Sequence, residues 1–167
     1  MKRSIFLFLL IATVFNLQAQ TDGTLKVSAT TSKTSTPTYS PKNIVAMWIE
    51  GSSGKYVKTL LAYASERRQY LKNWKTVTTV AGAAYNTVDA VTGATQNSHA
   101  TRTCTWDGRN RSAVLVPDGS YKLKMEVTDN DGVAQNLVSF TFTKGATTQT
   151  LTPTTTNGFS SISIEWV

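Results

Sequence analysis

The run Gly119-Ser120-Tyr121-Lys122-Leu123-Lys124-Met125-Glu126-Val127-Thr128-Asp129 (GSYKLKMEVTD) alternates apolar and polar side chains without a break. A period of two places Tyr121, Leu123, Met125 and Val127 on one face of a strand and the charged residues on the other. Asn130-Asp131-Gly132 then supplies turn chemistry. Gln135 to Thr143 reads as the returning strand, with Leu137 leading its apolar series. Upstream, Ala100 to Trp106 is a further β segment ending in the turn pair Asp107-Gly108. Within it Arg102, Cys104 and Trp106 share one face, opposite Thr101, Thr103 and Thr105.

The same pattern extends outward. Leu25, Val27 and Ala29 mark a short strand, and the Ser/Thr/Pro stretch Thr30 to Pro41 reads as a loop. Asn43 to Glu50 (NIVAMWIE) is apolar almost throughout, as a central strand would be, with Trp48 in or near the core. Gly51-Ser52-Ser53-Gly54 turns it into a returning strand, Lys55 to Leu60, which makes a hairpin. Helical character is confined to Ala64 to Trp74, where Ser65 is placed to cap and Tyr70, Leu71 and Trp74 recur at helical spacing. Thr76 to His99 reads as a long polar loop, of the length that is functional or disordered. Threonine-rich Gly145 to Gly158 precedes a last strand, Phe159 to Trp166. Short strands with turn signals and one short helix predict an all-β, Ig-like antiparallel sandwich with a long loop.

The chain has 167 residues, enough for one core without disulfides. Residues 1–19 read as a signal peptide: Lys2 and Arg3, an apolar run from Ile5 to Phe15, and Leu17-Gln18-Ala19 before a cut at Gln20. That run is too short to span a bilayer, and no later stretch is apolar enough. Residues 20–42 then form an N-terminal strand and loop, and residues 43–167 the sandwich domain. The expected product has no transmembrane segment and resides in the periplasm or otherwise outside the cytoplasm.

Without Lys2 and Arg3 the formal charge falls from +7 to +5, on fifteen basic and ten acidic residues. The bases are scattered, Arg67-Arg68 and Arg109/Arg111 being the close pairs, and no aromatic interleaving points to nucleic acid. Cys104 is the single cysteine, read as buried and inert. His99 is the single histidine, with no ligand-spaced partners for a metal. Asp129-Asn130-Asp131-Gly132 begins like a calcium loop but lacks the closing glutamate, and reads as a hairpin turn. No nucleophile elbow or hydrolytic triad signature occurs, so the chain is expected to be a non-enzyme. Trp48, Trp74, Trp106 and Trp166 read as packing residues, with an aromatic sugar-binding surface as the other use of them.

One stretch carries chemistry. Asp89-Ala90-Val91-Thr92-Gly93-Ala94-Thr95 matches the pattern Asp-x-x-Ser/Thr-Gly-Ala-Ser/Thr. It resembles the sites of bacterial envelope proteins where a flavin transferase couples FMN, through its phosphate, to the last hydroxyl. An acceptor needs an unhindered hydroxyl, and glycine and alanine keep the approach open. Asp89 and Thr92 are expected to hydrogen-bond local backbone. An ordinary Thr/Gly loop before a strand is the other reading.

Residues 43–50, Gly54 to Leu60, Leu71 to Trp74, Asp89 to Thr95 with His99, Trp106 to Gly108 and Pro117 to Tyr121 together resemble the periplasmic family DUF2271. The segment from Trp106 to Tyr121 is also similar to the Ig-like domain of the flagellar hook-capping protein. The first resemblance implies an exported sandwich that accompanies PepSY-type membrane redox proteins and flavin transferases. It implies FMN carried on Thr95, with Asp89, Thr92, Gly93 and Ala94 as the attachment motif. The second implies the alternative, a flavin-free structural or binding module of a surface assembly.

Overall fold

The computed structural model describes residues 19–132 and 136–167. Most of the expected signal peptide, residues 1–18, lies outside the described residues. Nine strands and one α-helix follow in order: β1 (Leu25–Thr31), β2 (Ile44–Gly51), β3 (Tyr56–Tyr63), α1 (Lys72–Val80), β4 (Val91–Gly93), β5 (Thr101–Trp106), β6 (Gly119–Thr128), β7 (Asn136–Lys144), β8 (Gln149–Leu151) and β9 (Phe159–Trp166). They make two sheets, ordered β5-β1-β9-β8 and β4-β3-β2-β6-β7. The result is an all-β sandwich. Every pairing is antiparallel except β3 with β4, which is parallel, so the antiparallel expectation fails at that edge.

The alternation in β6 holds: Tyr121, Leu123, Met125 and Val127 are all buried in the core between the sheets. On β7 the inward series is Val138, Phe140 and Phe142, opposite Met125, Leu123 and Tyr121. Leu137 is 39% exposed, so the series expected from it is one residue out of register. A one-residue slip exchanges the two faces of a strand, and three known inward positions on β6 settle which face is right. The core adds Leu25, Val27 and Ala29 from β1 and Phe159, Ile162, Ile164 and Trp166 from β9. Trp106, Tyr121, Phe142 and Trp166 meet there with ring centroids 5.3–6.5 Å apart.

β2 is buried on both faces. Val45, Met47 and Ile49 enter the inter-sheet core, while Ile44, Ala46 and Trp48 join a second cluster with Ala62, Leu71 and Trp74 beneath α1. That double coverage explains its continuous apolar run.

The helix differs from its expected span. Its first part is a 3-10 turn (Arg68–Tyr70), and α1 begins at Lys72 and runs to Val80, into the segment read as loop. Ser65 makes no cap, and no acidic residue lies in the first turn. The cap comes instead from Glu126, on the outward face of β6. Its Oε1 accepts from Asn73 N (3.1 Å) and Asn73 Nδ2 (3.0 Å), and its Oε2 from Trp74 N (2.9 Å). Threonine disfavours a helix interior, but Thr76, Thr78 and Thr79 return their hydroxyls to the carbonyls of Lys72, Trp74 and Lys75. Trp74 Nε1 then donates to Thr59 Oγ1 (2.9 Å), fastening the helix to β3.

A second buried charge closes the opposite end. Lys144 Nζ, fully buried, donates to Asp118 Oδ1 (2.6 Å) and to the Thr21 carbonyl (2.7 Å). This ammonium, followed by the Thr21 hydroxyl and N–H, holds the Asp118 carboxyl down to about 2.

Two outcomes are expected. Glu126→Ala strands the Asn73 and Trp74 N–H groups and lowers unfolding free energy by about 2–4 kcal/mol, with a smaller loss for Glu126→Gln, read by urea denaturation. A depressed carboxyl stabilises the fold above its unfolded pKa of about 4, and that stability is lost as the carboxyl protonates on acidification. Wild-type melting temperature should therefore fall between about pH 4 and pH 2 more steeply than that of Asp118→Asn, which starts lower at neutral pH.

Candidate functional site

The motif Asp89 to Thr95 lies at the free edge of the second sheet. Val91, Thr92 and Gly93 pair in parallel with Leu61, Ala62 and Tyr63 of β3. A β-carbon on Gly93 would lie 2.7 Å from the Tyr63 ring, so glycine is required for that ring to pack on the strand. The Arg102 guanidinium covers the same ring, 5.5 Å from its centroid, and its Nη2 donates to Ser98 O (2.9 Å). Asp89 takes a positive φ of 56°, a conformation Asp tolerates better than most residues. The local hydrogen bonds expected of Asp89 and Thr92 are not made by either side chain among the described residues, and both are exposed. Backbone pairing and the φ of Asp89 shape the turn instead.

Beyond Gly93 the chain is pinned again. Asn43 and Gln96 exchange backbone hydrogen bonds, both 2.9 Å, and the buried Asn43 side chain donates to Pro41 O and Ser98 O. Gly93 O accepts from Ser65 N (3.3 Å). Ala94 and Thr95 therefore form a two-residue arch between fixed ends. Ala94 is exposed and Thr95 partly so, and the Thr95 hydroxyl has no hydrogen-bond partner among the described residues.

Thr95 borders a cleft of about 300 Å³. Tyr39 and Lys42 come to it from the loop before β2, Tyr70 from the 3-10 turn and Arg67 from the residue just before it, and Asp129 to Asp131 from the turn after β6. Tyr39 Oη donates to Asp131 Oδ2 (2.7 Å), and Arg67 Nη1 lies 3.5 Å from Asp131 Oδ1. The Asp131 carboxylate, as acceptor and as negative charge, raises the Tyr39 phenol pKa. Asp129 is held by the Thr34 hydroxyl and N–H, and Asn130 Nδ2 donates to Thr36 O (2.7 Å). The described part of this turn thus organises the loop before β2. Tyr39, Lys42, Arg67 and Tyr70 carry no local sequence signal for this role; the cleft exists only once distant segments meet.

The other candidates fall into structural roles. Cys104 is buried 3.8 Å from Met47 Sδ, and burial pushes its thiol up to about 12. His99 Nε2 meets Ser40 Oγ at 3.1 Å, its pKa is lowered by burial, and it stands outside the cleft lining. No group of three potential metal ligands occurs among the described residues. All four tryptophans are 1% exposed, which removes the sugar-binding surface.

Gly93→Ala is expected to cost about 1–3 kcal/mol in urea denaturation by forcing the Tyr63 ring off β4. The same change in a Tyr63→Ala background should cost far less, since the steric conflict is gone.

No curated protein and no solved structure matches the chain. Among the described residues no helix is long and apolar enough to cross a membrane. A family model for predicted periplasmic proteins, DUF2271, matches residues 24–159, from the start of β1 to the first residue of β9, and the chain belongs to that family.

Proposed function

We propose that the protein is a periplasmic carrier with FMN esterified through its phosphate to Thr95, taking part in electron transfer across the envelope. The observation that carries this reading is the setting of the motif's last hydroxyl. Thr95 sits on a short arch anchored at both ends, has no protein partner among the described residues, and borders a cleft with tyrosines and cationic side chains. The donor set fits the group: Lys42 suits a phosphate, Arg67 suits ring carbonyl oxygens, and Tyr39 and Tyr70 suit a planar ring. An exposed strand at a sheet edge is also what an installing enzyme can reach.

Attachment by a flavin transferase forms a bond from Thr95 Oγ1 to the FMN phosphorus of FAD. The phosphoanhydride breaks, AMP leaves with the bonding pair, and the hydroxyl proton passes to a base of the transferase or to water. The bound flavin supplies reversible uptake of electrons and protons. The chain's residues would anchor and orient it, Thr95 as the attachment point and Tyr39, Lys42 and Arg67 beside it; a PepSY-type membrane protein is the redox partner in this reading.

The flavin-free structural or binding module keeps one specific support. Gly93 beneath Tyr63 and the φ of Asp89 explain two motif positions by folding alone. Neither explains a hydroxyl at Thr95.

Production with a flavin transferase and FAD should give an intact mass increased by FMN less water. The adduct should be retained in Thr95→Ser and lost in Thr95→Val. An unmodified polypeptide from such cells, or modification at another residue, overturns the proposal.

A further inference from the structure

We infer that the cleft beside Thr95 is the docking seat of the flavin ring, with Tyr39 as its stacking face and Lys42 as the charge that meets the phosphodiester. This rests on attachment at Thr95 and goes beyond it, because an attached flavin could equally hang free in solvent. The seat is assembled from three segments that together line a cleft of about 300 Å³.

Tyr39 is 46% exposed, an unusual position for an aromatic ring that contributes nothing to either apolar cluster. Its hydroxyl is tethered by Asp131, which also pairs with Arg67, so the ring is held beside the cleft. A tyrosine fixed at its polar end and bare on its face is prepared for stacking against a planar heterocycle. Lys42 borders the same cleft and forms no ion pair among the described residues. A phosphodiester carries one negative charge, and the ammonium of Lys42, on the cleft that Thr95 also borders, offsets it. Arg67, its guanidinium oriented by Asp131, offers N–H donors to ring carbonyl oxygens. Tethering through Thr95 makes docking intramolecular, so a modest stacking energy suffices to populate the seated form.

The test uses the full chain purified as the FMN adduct, with occupancy fixed by intact mass and absorbance. Stacking on tyrosine quenches flavin emission, so wild-type adduct should fluoresce weakly per flavin and brighten on proteolytic digestion. In Tyr39→Leu the ratio of seated to free ring should fall roughly two- to tenfold, with emission rising accordingly. Lys42→Gln should likewise raise emission per flavin, as the ring spends more time in solvent. Urea midpoints of both variants should match wild type, which separates lost docking from lost folding. If the mass shows FMN on Thr95 but emission equals that of the digest and neither variant changes it, the docking seat is wrong while attachment stands. An unmodified mass overturns both.

Discussion

The carboxylate of Glu126 governs how the edge that carries the Asp89 to Thr95 motif is built. It stands on the face of β6 turned away from the inter-sheet core, opposite Ala46 on β2, and is fully buried by the helix it caps. A helix start leaves N–H groups that need acceptors, and α1 has no capping side chain of its own. Burial pushes the Glu126 carboxyl up, while the backbone N–H groups of Trp74 and Asn73 and the Asn73 amide pull it back. The helix dipole favours the negative charge at the same point. The arrangement fixes where α1 begins, and the segments on either side of α1 supply the site: Arg67 and Tyr70 before it, Asp89 to Thr95 after it.

From that anchor the geometry passes along a short series of contacts. Trp74 packs edge-on against Tyr85 with ring centroids 5.6 Å apart, and Thr78 Oγ1 accepts from Tyr85 N. Tyr56 Oη then reaches the Asn86 backbone and side chain. These contacts carry the chain from the end of α1 back to the edge of β3, where β4 pairs. The second apolar cluster under α1 gives the series its rigidity, since Trp48 and Trp74 are both buried there. A sandwich covered only on its inner faces would leave the motif on an unsupported loop. Here the loop rests on a packed layer.

Much of the fold was legible because apolar side chains recur at every second position in β6 and from Ile162 to Trp166 of β9, and because a strand buried on both faces is apolar throughout, as in β2. Where legibility failed, the deciding contact was remote. The start of α1 depends on a glutamate more than fifty residues away in sequence. Its threonines look like loop until their hydroxyls are seen bonded to the preceding turn. β8 and β4 have three residues each and take their structure from the strand beside them, β9 and β3. β7 was placed one residue out because Leu137 is its first large apolar residue, although its partner strand decides the face. The motif could be read in the sequence, but the cleft beside it could not.

The fold also sorts the residues of the motif by what they answer to. Gly93 answers to Tyr63, and Asp89 to the turn that delivers the chain to β3. Ala94 and Thr95 answer to nothing in the interior. They occupy the interval between the Gly93 and Gln96 anchors, where the backbone is held but the side chains are left outward. A residue whose surroundings are ordered while its own hydroxyl is unengaged loses little conformational freedom on modification and gives up no internal bond. In the proposed reading that suits a covalent attachment point, whereas the threonines in α1 and beside Asp129 already have their hydroxyls bonded.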